Sequence, residues 1–340
     1  MFNNYLQKNE ILIRKDILPF LLEVDTIVFD IDGVLVDVSA SYYQTIIDTV
    51  QYYFSSIMNM PGKDKLLDKQ MIDSFKMVGG FNDDWELTAA AVLYYLWKMK
   101  EQQIVSIKEL KNNSPVISEF INKNLSGGGG LTQFITWIRE NTYNPEDIFI
   151  LWDKEKIFQI AKELYSGGKY CFRLYGFSPG IIDNIDGNVE QEVLSIKPRI
   201  EKMLKKYNIG ILTGRNRAET DFLIERIKWK SWLQPERVVT AEDGLKKPSP
   251  AGLRYLMNKF QSEVALFIGD TMDDLLTVKN LNSQNDSINC LSALVLGQDF
   301  KKGVKYKEHY LKNNVDILAE DVNQVINLLE NSRLNNFNSK

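Results

Sequence analysis

The sequence predicts an α/β protein, a doubly wound parallel sheet with a second, mostly helical domain. From about Pro198 onward, short β-rich runs alternate with amphipathic segments, which is typical of a parallel sheet covered by helices. Another β-rich run, Thr26–Phe29, lies far upstream, and the segment between the two is rich in helical, aromatic-containing stretches. We therefore expect a discontinuous sheet domain, residues 1–38 and 190–340, and a helical domain, residues 39–189, inserted after the first strand.

The individual elements are predicted from periodicity, in chain order. The first 20 residues have the pattern of an amphipathic helix packed on the core, and Thr26–Phe29 is the first strand. Within the insertion, predicted helices span residues 42–56, 84–100, 117–124, 131–141 and 154–164. Beyond it, predicted strands span residues 209–213, 237–240, 264–268 and 291–296. Helices around these strands are predicted at residues 198–207, 218–232, 249–260, 273–281 and 321–332. Because the chain crosses twice between the domains, we expect a hinge at the crossings.

Composition excludes several classes of protein. The net charge of -4 over 340 residues argues against a nucleic-acid binder, which needs a clustered basic surface. Cys171 and Cys290 are far apart and indicate neither a disulfide framework nor a zinc site. The single histidine, His309, leaves any metal to carboxylates. No stretch approaches the roughly 20 apolar residues of a membrane span, and no signal peptide is recognised, so we expect a cytoplasmic protein without a membrane partner.

Two carboxylates stand directly after the first predicted strand. Asp30 and Asp32 lie two residues apart, and Gly33 lets the chain turn sharply behind them. Such a pair makes a site for a hard cation with a nucleophile beside it. Alone, this pattern also fits an ordinary turn or a calcium loop.

Two further motifs have groups that could bind an anion. Thr213 and Gly214 end a predicted strand and precede a helix, where a hydroxyl and backbone N–H groups favour negative charge. The alternative is a turn with a helix cap. Lys246 and Lys247 precede Pro248, which fixes the backbone and holds a lysine at the mouth of the next helix. The alternative is a surface loop.

A cluster of acids ends the fourth predicted strand of the sheet. Asp270, Asp273 and Asp274 lie so close in sequence that they repel one another unless a cation or hydrogen bonds offset the repulsion. The alternative for Asp270 is a helix N-cap. Because open parallel sheets place ligands at the carboxyl ends of their strands, the four motifs are expected to form one site.

Acid pair, hydroxyl, lysine and acid cluster, in that order, make the chain resemble the haloacid dehalogenase (HAD) superfamily. The resemblance is to its phosphatase branch, with a helical cap domain inserted after the first motif. It covers the four motifs and the sheet domain, roughly half of the chain, and the insertion is similar only in position and helical character. It implies a Rossmann-like core of the HAD type and Mg²⁺ as the cofactor.

The resemblance also implies roles. Asp30 corresponds to the nucleophile that forms an aspartyl-phosphate, and Asp32 to the general acid and then base. The metal would be held by Asp30, the backbone carbonyl of Asp32 and Asp270, with Asp274 acting through water. An acid at Asp32 favours a phosphatase over a dehalogenase, because a halide leaves without a proton whereas phosphoryl transfer needs one.

For the phosphoryl group, the resemblance implies that Thr213 and the N–H of Gly214 bind its oxygens. Lys247 would balance their charge, and it is chosen over Lys246 because it directly precedes Pro248, as in the family's Lys-Pro pattern.

Substrate contacts are expected from the inserted domain, acting as a lid. Asn82 and Trp85 follow a Gly-Gly turn, and such a loop can reach over the site, with the indole stacking on a sugar or base. The alternative is that Asn82 or Asp83 only caps the next helix. Arg173 is a second candidate contact, near the return to the sheet domain.

The predicted function is a Mg²⁺-dependent phosphatase that hydrolyses a small phosphorylated metabolite, such as a sugar phosphate, through an aspartyl-phosphate. A phosphoglucomutase-like phosphoryl transferase would use the same motifs and stays an alternative. A catalytically silent binding protein of the same fold is a third. The oligomeric state stays open between monomer and homodimer.

Overall fold

The computed structural model describes residues 4–8, 10–81, 83–125, 129–284, 290–297, 300 and 304–337. The chain divides into two compact units. The sheet unit comprises Met1–Asp37 and Val193–Lys340, and the helical unit comprises Val38–Glu192. In the part of the chain that is described, no helix has both the length and the apolar character of a membrane span.

All strands found in the described residues belong to the sheet unit. In chain order they are β1 (Tyr5–Lys8), β2 (Ile11–Arg14), β3 (Thr26–Phe29), β4 (Val36–Asp37), β5 (Val193–Leu194), β6 (Asn208–Leu212), β7 (Val238–Val239), β8 (Ala265–Gly269), β9 (Cys290–Val295) and β10 (Ile317–Ala319). Eight of them form one sheet in the order β1-β2-β10-β9-β8-β3-β6-β7, parallel from β10 to β7. β4 and β5 form a separate antiparallel ribbon. β3 therefore lies in the centre, between β8 and β6.

Side chains of other segments pack against both faces of this sheet. Successive residues of a strand point to opposite faces. Val28 packs in a buried cluster with Leu253 of a neighbouring helix, whereas the ring of Phe29 lies 5.8 Å from that of Trp229. Apart from 3₁₀ turns, the helices of the sheet unit that can be bounded in the described residues are Glu201–Leu204, Arg217–Arg226, Ala251–Phe260, Met272–Asn282, Val304–Lys312 and Val322–Phe337. The α/β class predicted from the sequence is thus confirmed.

Two predictions about elements of the sheet unit are wrong or incomplete, and further elements were not predicted. The described part of the first 20 residues does not form the expected amphipathic helix, because β1 and β2 make an antiparallel hairpin there and β2 pairs with β10. The helix predicted at residues 198–207 is reduced to a 3₁₀ turn, Pro198–Ile200, and one α-helical turn, Glu201–Leu204. Strand β10 and the helix Val304–Lys312 were not predicted.

The described part of the helical unit contains no strand. Its helices are Tyr42–Tyr52, continued by a π-helical turn Tyr53–Ile57, and Lys69–Val78, Asp84–Gln102, Ile107–Asn112, Ile117–Asn124, Gly130–Asn141, Glu146–Phe149 and Lys154–Tyr175. The helix Asp84–Gln102 is the centre of this unit, since the side chains of residues 89–96 are all buried. Its buried residues share one apolar cluster with those of the surrounding helices.

Candidate active site

Three motif residues leave neighbouring strands at the same edge of the sheet. Asp30 follows β3, Thr213 follows β6 and Asp270 follows β8. The strand pairing continues past the strand ends, because the N–H of Asp30 donates to the Ile268 carbonyl at 2.9 Å and that of Thr213 to the Val239 carbonyl at 3.0 Å. The carboxyl ends of parallel strands are where such sheets bind ligands.

Lys247 joins two of the acids in a buried cluster. Its Nζ lies 2.7 Å from Oδ2 of Asp30 and 2.6 Å from Oδ1 of Asp274. Only 2% of the lysine side chain is exposed, and the side chains of Asp30 and Asp274 are 6% and 1% exposed. Lys247, although it lies in a loop, is thus the buried counter-ion of these two acids. Lys246 beside it is exposed.

The pKa values of these groups diverge because of burial and mutual attraction. Burial raises the pKa of Asp30 to about 7, and Asp274 and Asp32 add to this whereas Lys247 opposes it. Burial alone would lower the pKa of Lys247, but Asp274 and Asp30 raise it above its ordinary value. Burial alone would raise the pKa of Asp274, but Lys247 and hydrogen bonds from Thr271 hold it below its ordinary value. Lys247 is therefore a cation and Asp274 an anion at neutral pH.

Asp30, Asp270 and Asp274 could hold a metal ion. One carboxylate oxygen from each lies within 4.8 Å of the other two, and oxygen donors suit a hard cation such as Mg²⁺. Asp274 is fixed by the backbone, since its Oδ2 accepts from the N–H groups of Asp270 and Thr271 at 3.1 and 2.9 Å. The helix N-cap is Thr271 and not Asp270, so the capping alternative does not account for Asp270.

The turn after Asp32 packs directly against this cluster. Gly33 has a φ of +73°, and a Cβ built on it would lie 2.0 Å from Oδ2 of Asp270. Any larger residue would displace that carboxylate, so the glycine fits the position for two separate reasons.

Asp32 is held by an arginine that sequence reasoning missed. Arg215 donates from Nε and Nη2 to Oδ1 of Asp32, at 2.9 and 2.6 Å. The Arg215 N–H donates to the Thr213 hydroxyl oxygen at 3.2 Å. Gly214 between them is exposed, and Asn216 rather than Thr213 caps the next helix. The available signal was the position of Arg215 directly after Thr-Gly.

The predicted substrate contacts lie in the helical unit and stay predictions. Asn82 lies outside the described residues. Asp83 caps the helix Asp84–Gln102, accepting from the N–H groups of Trp85 and Glu86 at 2.9 and 3.1 Å. The half-buried Trp85 ring lies 5.4 Å from that of Tyr42 and 6.0 Å from that of Tyr165. Arg173 is exposed on the last turn of the helix Lys154–Tyr175.

Comparison with known proteins gives matches to a family and to solved structures. The family described as haloacid dehalogenase-like hydrolase matches residues 24–282. Phosphatase Tt82 from Thermococcus thioreducens is similar in structure, with a TM-score of 0.52 and 22% identity over 80% of this chain and 93% of that one. A structural-genomics target has a TM-score of 0.55 and 16% identity over 91% of this chain and 99% of that one. At such identities the likeness concerns the fold.

A match to a curated protein is much shorter. Imidazoleglycerol-phosphate dehydratase of Phytophthora nicotianae is 36% identical over 70 residues. The matched segment is 21% of this chain and 13% of that protein, so the chain spans only a small part of this relative.

Proposed function

We propose a reaction from the premise that this chain belongs to the haloacid dehalogenase-like hydrolase family. The chain is a hydrolase by that membership. Its reaction, we infer, is Mg²⁺-dependent hydrolysis of a small phosphorylated metabolite, such as a sugar phosphate, through an aspartyl-phosphate on Asp30.

One observation carries the proposal: Lys247 bridges Asp30 and Asp274 at 2.7 and 2.6 Å in a buried site, with the Asp270 carboxylate beside them. A buried lysine between two acids could by itself be explained as an ion pair that only stabilises the fold. A third acid in the same small volume adds negative charge that the lysine does not balance, which a divalent cation would.

In the first step, an Asp30 carboxylate oxygen attacks phosphorus, and the bond from phosphorus to the leaving oxygen breaks. That oxygen takes a proton from Asp32, so that an alcohol departs rather than an alkoxide. The Thr213 hydroxyl is suited to bind a phosphoryl oxygen, because it accepts from the Arg215 N–H and donates to no residue that the structure describes. Lys247 supplies positive charge next to the reacting carboxylate.

In the second step, water attacks phosphorus and the bond from phosphorus to Asp30 breaks. The Asp32 carboxylate takes the proton of the water, and the electron pair of the broken bond returns to Asp30. Asp32 thus returns to its starting protonation state.

The residues fit a resident Mg²⁺. The oxygens of Asp30, Asp270 and Asp274 would hold it, and we expect the backbone carbonyl of Asp32 to contribute as well. When bound, the ion offsets repulsion between the attacking carboxylate and the phosphate dianion.

The proposal is tested by incubating the purified full chain with phosphorylated metabolites and Mg²⁺ and measuring inorganic phosphate. We expect release from at least one small ester, loss of release in excess chelator, and its return when Mg²⁺ is restored. Asp30→Asn is the inactive control. No phosphate from any ester would overturn the proposal, and so would full activity in excess chelator. A rearranged phosphorylated product without free phosphate would favour the phosphoryl transferase instead.

A further inference from the structure

We infer that Arg215 is a positioning residue that holds Asp32 by one carboxylate oxygen and leaves the other to exchange protons with substrate and water. This inference rests on the proposed function, because it assigns to Asp32 the role of proton donor and acceptor.

The contact itself is one-sided. Both Nε and Nη2 of Arg215 donate to Oδ1 of Asp32. Oδ2 accepts no hydrogen bond from any residue in the described part of the chain. An arginine facing a carboxylate often binds both oxygens in parallel, which would occupy the whole group. Here the contact fixes the orientation of the carboxylate and keeps one oxygen available.

The two side chains also differ in how much of each is exposed to solvent. The side chain of Arg215 is 1% exposed and that of Asp32 is 22% exposed. The arginine is therefore enclosed, whereas part of the acid stays accessible. In a surface ion pair, by contrast, both groups would be exposed to solvent and their side chains would be mobile.

The backbone of Arg215 is also fixed. Its N–H donates to the Thr213 hydroxyl oxygen, and its carbonyl accepts from the Ala241 N–H at 3.0 Å. The guanidinium is thus anchored between the loops that follow β6 and β7, and it reaches across to the loop that follows β3. Such an anchor limits the rotation of the Asp32 side chain. Orientation of this kind is what proton transfer in a transition state requires.

Removal of Arg215 is expected to slow some steps of the reaction and not others. If Arg215 orients Asp32, its removal slows the steps that move a proton and spares the step that does not. Transfer from an alkyl phosphate to Asp30 needs the proton, and so does attack of water on the aspartyl-phosphate. Transfer from an aryl phosphate with a good leaving group does not.

The test compares Arg215→Gln and Arg215→Lys with the parent on an alkyl phosphate and on 4-nitrophenyl phosphate. We expect Arg215→Gln to lower kcat on the alkyl ester by about 10²-fold with KM little changed. On the aryl ester we expect a rapid burst of one nitrophenol per enzyme, followed by slow turnover. Arg215→Lys keeps one donor and should recover part of kcat. Arg217→Gln is the matched control, since it removes a half-buried arginine of the same segment and should leave kcat unchanged.

A double-mutant cycle separates positioning from a general loss of structure. If Arg215 acts only through Asp32, Arg215→Gln combined with Asp32→Asn should be no slower than Asp32→Asn alone. Additive losses would overturn the inference, as would equal losses on both esters without a burst, or a rise in KM at constant kcat. A parent protein that releases no phosphate from any ester would instead overturn the proposed function, and with it this role.

Discussion

Replacing Gly33 by alanine tests the metal site without substituting any of its proposed side-chain ligands. The residue has a φ of +73°, a left-handed conformation that costs a residue with a Cβ about 1–2 kcal/mol. The added Cβ would also lie 2.0 Å from Oδ2 and 2.5 Å from Cγ of Asp270. Ordinary contacts exceed about 3 Å, so the carboxylate must move by about 1 Å. Mg²⁺ demands near-ideal geometry at about 2.0–2.1 Å, and a shift of that size removes Asp270 as a ligand.

Gly244→Ala is the matched control, because Gly244 has a φ of +71° and nothing within 4 Å of its would-be Cβ. Gly244→Ala should lose about 1–2 kcal/mol in the free energy of unfolding, measured in urea without metal, and Gly33→Ala should lose at least as much because of the added clash. Thermal unfolding is then repeated across a range of Mg²⁺ concentrations. A ligand at 100 times its Kd stabilises the folded state by about 2.7 kcal/mol, and each tenfold loss of affinity removes about 1.4 kcal/mol of this. The parent and Gly244→Ala should therefore gain Tm with Mg²⁺, whereas Gly33→Ala should gain much less.

The decisive comparison is the gain in Tm and not the starting Tm. A Gly33→Ala variant that gains as much Tm from Mg²⁺ as Gly244→Ala would refute the placement of the ion next to Asp270. Equal absence of any gain in all three proteins would refute the metal site altogether.

Three further predictions concern single side chains. Asp30→Asn should abolish turnover and keep the fold, as judged by phosphate release and circular dichroism, because it removes the nucleophile's charge without changing its shape. Lys247→Met leaves buried Asp30 and Asp274 without their cation and should cost about 3–5 kcal/mol in urea unfolding, whereas Lys246→Met at an exposed position should cost almost nothing. Burial would raise the pKa of Asp25, but hydroxyl and backbone donors hold it below its ordinary value. Its stabilisation is therefore present above about pH 4 and is lost as pH falls through the lower folded value, so Asp25→Asn should cost about 1–3 kcal/mol at pH 7 and progressively less as the pH falls below 4.

The central strands of the sheet could be predicted because their sequences carry local information. β3 and β8 are buried along their whole length and each is followed directly by an acid, so an apolar run followed by a polar residue marks each of them. The outer elements lack such marks. In β2, the buried Ile11 and Ile13 alternate with half-buried residues. Because Leu12 between them is apolar too, the sequence does not show the alternation of apolar and polar residues that is typical of a strand.

Pairing between distant segments decides these outer elements. β10 has only three residues, and it is a strand because it lies beside β9 and carries β2 on its other edge. Asp316 before it is held by the N–H and hydroxyl of Ser292, both at 2.7 Å. No periodicity within residues 5–14 or 317–319 encodes these contacts, which explains why the hairpin was mistaken for a helix and β10 was overlooked.

The site shows how far strand register can extend a sequence argument. Phe29 pairs with Ile211 in β6 and with Ile268 in β8. Asp30, Thr213 and Asp270 follow these three residues by one or two positions, so parallel pairing alone brings them to the same edge. Asp32 and Arg215 follow Phe29 and Ile211 by three and four positions, which puts them at similar distances beyond that edge. Their contact was therefore implied by the same register, but an arginine in a loop is usually solvated, and only the enclosed space between the loops makes this one a partner of Asp32.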